Sequence, residues 1–189
     1  MRIIGGSFRG RSISAPKGMV ARPTTDRVRE ALFSMLIARP DVDFDQAKII
    51  DVFAGSGALG LEALSRGANH CLFVEIDADA RAAIRGNIET LSLFGSTRIH
   101  KRSALALGTL PSSAGGPFDI AFLDPPYGEA MVPAALDNLA NGGWLRPNAI
   151  VIVEQRKGEA LPDNVLFTIS DNRTYGDTQI SILTYCPQR

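Results

Sequence analysis

The sequence predicts an α/β fold built on a mostly parallel, doubly wound sheet, and three observations carry that expectation. From Lys48 to Glu154, short apolar runs alternate with amphipathic helical stretches, the rhythm of βαβ units. The first of these runs enters a glycine-rich corner, Gly55-Ser56-Gly57 with Gly60 beyond it, where a strand would turn tightly into a helix. Near the C-terminus, Val165 to Ile169 and Gln179 to Tyr185 are both strand-like with no helix between them, which predicts an antiparallel pair at the sheet edge.

Taken in order, Arg2 to Gly5 and Arg11 to Ser14 are short β-like runs that predict a hairpin with Phe8 and Arg9 near its tip. An aromatic ring beside arginines there suits an RNA strand, and a ring folded back onto the core is equally ordinary. Pro16-Lys17-Gly18 reads as a linker, so residues 1–21 are expected as a basic arm and residues 22–189 as the main domain. Val28, Ala31, Leu32, Met35 and Leu36 then fall on one helical stripe, capped by Thr24, Thr25 or Asp26 and ended by Pro40. The alternation that follows predicts strands at 48–54, 70–75, 97–101, 118–123 and 149–154. Helices are expected at 58–66, 78–91, about 103–110 and 129–140. The charged stretches Glu154 to Glu159 and Asp171 to Asp177 are expected as surface loops.

Composition narrows the function classes. The 189 residues suit one ordinary domain with a small appendage, and 45% apolar against 21% charged residues is globular rather than disordered or fibrous. No apolar run approaches the about 20 residues of a membrane helix, and Met1 to Ile4 leads into glycines and basic residues instead of a signal-peptide core, so a cytoplasmic protein is expected. Cys71, Cys186, His70 and His100 form no metal or disulfide pattern. The net charge of zero conceals an asymmetry: residues 1–30 carry seven basic and two acidic side chains, so the remainder is acidic by the same margin. Clustered cations of this kind neutralise phosphates, which points to a nucleic acid.

The corner is built for a nucleoside. Gly55, Gly57 and Gly60 fit G-x-G-x-x-G, in which two glycines let the backbone turn and approach a ligand and the third permits close helix packing. Glu75, twenty residues beyond Gly55 at the end of the next apolar run, could accept ribose hydroxyls. A dinucleotide would put a pyrophosphate at the helix N-terminus, where Asp51 adds an unfavourable charge; S-adenosylmethionine has no phosphate and carries an amino group and a sulfonium that an acidic strand end favours. Glycines serving packing alone are the plainer alternative.

A second constellation bears on the chemistry. The apolar run Phe118 to Leu123 ends in Asp124-Pro125-Pro126-Tyr127, a stiff loop presenting acceptors and an aromatic face. An exocyclic amine whose two hydrogens are accepted by Asp124 and the Pro125 carbonyl keeps its lone pair free to attack a methyl sulfonium, with Tyr127 stacking on the base. Ser103 and Ala104 fall where a third loop could touch an adenine; Arg98 to Arg102 reads as a strand with solvated ends, and His100 as structural.

These motifs, with Asp51 to Ala68, Arg2-Ile-Ile-Gly-Gly followed by Arg9-Gly-Arg11, and Arg22-Pro-Thr-Thr-Asp-Arg-Val-Arg-Glu-Ala-Leu-Phe33, resemble the bacterial family that methylates the N2 amino group of one guanine in 16S ribosomal RNA. The resemblance covers essentially the whole chain. It implies a Rossmann-like class I methyltransferase fold with a seven-stranded sheet, S-adenosylmethionine as cofactor, and 16S ribosomal RNA in the small subunit or an assembly intermediate as partner; a monomer is expected separately from the resemblance. By position, Asp51, Phe53, Ala54, Gly55, Ser56, Gly57, Glu75, Ile76, Ser103 and Ala104 belong to the cofactor, with Thr24 and Thr25 closing over its methionine part. Asp124, Pro125, Pro126 and Tyr127 would hold the guanine, and Arg2, Phe8, Arg9, Arg11, Arg22 and Arg27 the RNA. The family more often carries Asp or Asn where this chain has Ser103. Two rivals share features of this reading: a DNA adenine or cytosine amino methyltransferase, and a non-catalytic RNA-binding assembly factor.

Overall fold

A computed structural model describes residues 1–16, 26–126, 131–161 and 163–187. Thr24, Thr25, Arg22 and Tyr127 therefore lie outside the described residues.

Each apolar run forms a strand. The strands are β1 (Lys48–Val52), β2 (His70–Val74), β3 (Thr97–His100), β4 (Phe118–Leu123), β5 (Leu145–Arg156), β6 (Phe167–Tyr175) and β7 (Thr178–Tyr185). They make one sheet in the order β3-β2-β1-β4-β5-β7-β6. The first five are parallel, and β7 lies antiparallel between β5 and β6. The strand order reverses between β1 and β4, so their carboxyl ends open a crevice of the kind in which α/β sheets bind ligands.

Helices cover both faces, which is why the strands read as continuous apolar runs. On one face Ile49, Phe73, Ile120, Phe122 and Ile152 pack under α1 (Asp26–Ile37), α2 (Ala58–Ser65) and α3 (Ala78–Leu91). On the other, Ile50, Val52, Leu72, Leu123 and Val153 pack under α4 (Val132–Asn141) together with Trp144. Among the described residues no helix is long and apolar enough to cross a membrane.

Four local expectations are corrected. The buried stripe of α1 is Arg29, Leu32, Phe33 and Leu36; Val28, Ala31 and Met35 only flank it. Strand β5 does not stop at 154 but runs to Arg156, and Glu154 and Gln155 are buried in it, because pairing with Ile180 and Gln179 carries the backbone on after the apolar residues end. The 171–177 stretch is not a loop but the outer half of β6, joined to β7 by Gly176-Asp177. The Gly176 φ of +61° is what the first position of a II′ hairpin turn requires. Exposure explains why its sequence looks like a loop: as an edge strand, β6 needs no apolar alternation beyond Phe167. Finally, the helix expected over 103–110 shrinks to one 3-10 turn, Ala104–Ala106, capped by the Ser103 hydroxyl.

The N-terminal hairpin is short, with a single bridge between Arg2 and Ser12 and a 3-10 turn at Gly6–Phe8. It shares the core of the domain through buried Ile3 and Ile13. Glu62, fully buried in α2, accepts the amides of Ile4 and Gly5, each at 2.8 Å, and Ser65 accepts that of Phe8 at 2.9 Å. Phe8 is partly buried against the core, so the tip aromatic folds back.

Candidate active site

The loops that follow β1, β2, β3 and β4 enclose a cavity of about 630 Å³, well within the range of small-molecule sites. The register Val52 opposite Leu123 sets the glycine corner directly beside the Asp124 loop. Of the expected residues, Asp51, Phe53, Ala54, Gly55, Ser56, Glu75, Ile76, Ser103, Ala104, Asp124 and Pro126 line this one cavity. Gly57 and Pro125 do not. Gly57 stands behind the wall as the left-handed residue that opens α2, with φ +78°, and Pro125 is buried.

The corner is wound tightly: Phe53, Gly55 and Gly57 all have positive φ, and Phe53 at +62° is a strained conformation for a non-glycine residue. A Cβ added to Gly55 would meet nothing nearer than the Phe53 carbonyl at 4.0 Å, so that glycine keeps its side of the cavity clear. Glu75 ties two loops together. One carboxylate oxygen accepts the Gly55 amide and the other the Asp77 amide, both at 2.8 Å. A carboxylate has about four acceptor positions, which leaves Glu75 room for two hydroxyls from the cavity. Beside it Ile76 is 62% and Leu105 40% exposed, unusual values for large apolar side chains and suited to gripping a flat ring.

Asp51 works differently from the expectation. It borders the cavity, but it is buried, and its carboxylate accepts the Gly60 amide at 2.9 Å. Burial pushes its pKa up to about 8; the Gly60 bond opposes the shift and nearby Glu75 adds to it. The raised pKa weakens the charge that Asp51 would set against a pyrophosphate. Gly55 gives its amide to Glu75, Gly57 to the Ala54 carbonyl and Gly60 to Asp51, so the three glycine amides of the corner are engaged within the protein.

Arg29 counts by sequence among the clustered cations of residues 1–30, yet it is 2% exposed and lines the cavity. It donates to Asp26 at 2.9 Å and to the Arg2 carbonyl. Its position three and four residues before Leu32 and Phe33 is the legible signal, since those residues mark the inward stripe. Met1, Ala15, Arg102, Leu105 and Met131 also line the cavity and carry no sequence signal. Arg2, Arg9, Arg11 and Arg27 are exposed; Arg11 reaches the Thr90 carbonyl at 2.9 Å and Arg2 lies 3.5 Å from Asp26. His100 packs its ring against Trp144 at 5.9 Å, and burial lowers its pKa.

Comparison with known proteins bears on this geometry. Residues 1–184 match the family model described as "Conserved hypothetical protein 95". The chain is 40% identical over 162 residues to the Escherichia coli K12 protein named ribosomal RNA small subunit methyltransferase D, covering 86% of this chain and 78% of that one. It is 36% identical over 179 residues to the Haemophilus influenzae protein of the same name, covering 93% and 89%. Its fold superposes on the solved structure of the Escherichia coli protein yhhF with a TM-score of 0.82 at 33% identity, over 100% of this chain and 99% of that one.

Proposed function

We propose that this chain, which belongs to the family described as Conserved hypothetical protein 95 and with it to the 16S ribosomal RNA methyltransferases, transfers a methyl group from S-adenosylmethionine to the N2 amino group of one guanine in that RNA. The observation that carries the reading is one cavity walled by both loops, Phe53 to Ser56 on one side and Asp124 with Pro126 on the other. The fold is a Rossmann-like class I methyltransferase fold, and ribosomal RNA methylation is the activity named for its relatives.

S-adenosylmethionine supplies a methyl group on a sulfonium that needs no further activation. The chain's own residues hold and orient. Glu75 takes the ribose hydroxyls, Ile76 and Leu105 flank the adenine with Ser103 and Ala104 beneath, and Arg29, with Thr24 and Thr25 ahead of it in the chain, faces the methionine carboxylate. Asp124 and the Pro125 carbonyl accept the two amine hydrogens of the guanine, which keeps its lone pair out of the ring and aimed across the cavity. Tyr127 stacks on the flipped base. Asp124 positions the amine and takes its proton once methylation has made that proton more acidic. The substrate is the small subunit or an assembly intermediate, met by the basic residues of the N-terminal hairpin.

The test offers labelled S-adenosylmethionine with small subunits, naked ribosomal RNA and duplex DNA, followed by mapping of the modified nucleotide. Label is expected at a guanine N2 of 16S RNA, and Asp124→Ala should abolish transfer while cofactor binding stays within a few-fold. Transfer to DNA, or wild-type turnover by Asp124→Ala, overturns the assignment.

A further inference from the structure

Beyond the rim of the cavity, α3 and the sheet's edge strand β3 form a groove of about 730 Å³ with a strongly basic wall. Arg81 and Arg85 project from one side of α3, and Arg98 and Lys101 from β3 and its exit. Among the described residues Glu89 is the single carboxylate on the wall, in a chain whose net charge is zero. Among the described residues, too, the side chains of Arg85 and Lys101 have no ion-pair or hydrogen-bond partner, so their charges face solvent. Phe94, at the mouth, is 63% exposed.

Edge strands are often guarded by lysine or arginine, and that would explain Arg98 and Lys101 alone. It does not explain two further cations on the facing helix, nor an exposed phenylalanine, which invites contact instead of discouraging it. Cations on both walls with an aromatic ring at the mouth are the makings of a single-strand track, phosphates along the charges and a base on the ring.

The groove is linked to both functional regions through hydrogen bonds and neighbouring residues. Arg81 donates to the carbonyls of Glu75 and Ile76, which line the cofactor cavity, and Lys101 is followed directly by Arg102, which lines it too. At the other end of α3, Arg11 of the hairpin bonds the Thr90 carbonyl. Elsewhere the surface bears the contrary charge, with Asp41, Asp43, Asp45 and Asp119 around a pocket where Arg146, the one cation among the described residues lining it, is paired to Asp119. A polyanion is thus attracted at one face and repelled at another.

We propose that the α3–β3 groove is a second RNA contact, holding the phosphate backbone of the ribosomal RNA that the hairpin engages and stacking one of its bases on Phe94. This rests on the function proposed above. The test uses the full chain carrying Arg85→Gln, Arg98→Gln and Lys101→Gln together; Arg81 is kept because it supports the cofactor loop. Binding to naked ribosomal RNA is measured from about 50 to 300 mM salt, with methyl transfer to subunits and cofactor affinity in parallel. Losing three phosphate contacts should lower the slope of log affinity against log salt by about 2 to 3. The RNA KM should rise about tenfold or more near physiological salt, with kcat at saturation and cofactor affinity unchanged. Phe94→Ala should weaken RNA binding several-fold without changing the slope. An unchanged slope and KM overturn the proposal. So does a loss confined to assembled subunits with naked RNA binding intact, which would assign the groove to a ribosomal protein. If the wild-type chain itself neither binds nor methylates ribosomal RNA, the proposed function fails, a result distinct from a wild-type-like triple variant.

Discussion

Glu62 accepts the Gly5 amide at 2.8 Å from a position with no solvent exposure. Its other oxygen takes the Ile4 amide at 2.8 Å, and Arg66 supplies two further donors at 2.9 and 2.8 Å. One buried carboxylate therefore fastens the N-terminal hairpin to α2 and fixes where its arginines stand. Glu62→Gln keeps the shape but replaces one acceptor by an NH2 group facing donors. Breaking a buried charged network costs about 3 kcal/mol or more. Chemical denaturation should show that loss, and hydrogen exchange should show Ile4 and Gly5 released first. Wild-type protection of those two amides would show that the hairpin is held without Glu62, by its bonds to Ser65 and Asn87 and the packing of Ile3 and Ile13.

Glu75 performs a similar fastening for the cavity, since it carries the Gly55 and Asp77 amides while facing the space between Phe53 and Ile76. Hydrogen bonds to charged groups contribute roughly 1.5–3 kcal/mol each, so Glu75→Ala should weaken binding of S-adenosylmethionine by about ten- to a hundred-fold in calorimetric titration. S-adenosylhomocysteine, which shares the ribose but lacks the positive sulfur, should weaken equally, and Glu75→Gln should recover part of the loss. Weakening of the charged cofactor alone would assign Glu75 to the sulfonium and remove it from the ribose.

Asp51 gives the chain a pH dependence. Its folded pKa is raised to about 8 from an ordinary 3.8, so its protonated form is favoured by folding. That stabilisation is complete below about pH 4, falls as pH rises, and is gone above about pH 8, at up to roughly 1.4 kcal/mol per pH unit in between. Thermal unfolding should therefore give a lower Tm near pH 8 than near pH 5. Asp51→Asn keeps an oxygen for the Gly60 amide and cannot ionise, so its Tm should change less over the same range. Parallel pH profiles for both proteins would show that other groups set the slope.

What is legible in the sequence follows from how each signal arises. Ile49 to Val52, Phe118 to Leu123 and their neighbours are buried on both faces, and burial writes itself as an apolar run. The glycine corner is legible because Gly55 and Gly57 adopt φ values that other residues avoid. Charge alone misleads where pairing decides. Asp51 reads as an open carboxylate, and its partner, the Gly60 amide, is a backbone group that every residue but proline carries. Arg29 reads as one of the clustered cations of residues 1–30, and the buried stripe of α1 turns it inward. Glu154 and Gln155 read as solvated, and the long register with β7 draws them into the sheet. The α3–β3 groove is illegible for a related reason: Arg85 and Lys101 stand 16 positions apart in the chain and meet only when β3 takes the sheet edge.

One substitution made at two glycines should have opposite signs. A Cβ at Gly60 would lie 2.5 Å from both the Cys71 sulfur and the Phe73 ring, and 3.1 Å from the Asp51 carboxylate. Cys71 and Phe73 have no solvent exposure and sit on a central strand, so neither can step aside. Gly60→Ala should cost about 1–3 kcal/mol from overpacking. It should also loosen the corner, because α2 can withdraw only by stretching the Gly60–Asp51 bond. Gly86 is exposed in the middle of α3 with an ordinary helical φ, and a Cβ added there would meet nothing within 4 Å. There alanine removes backbone freedom from the unfolded chain and should stabilise by about 0.5–1 kcal/mol. Urea unfolding of the two variants beside the wild type gives both signs in one experiment. A Gly60→Ala chain as stable as the wild type would mean that α2 does not rest on β2 through that glycine, and the close packing of the corner would have to be abandoned.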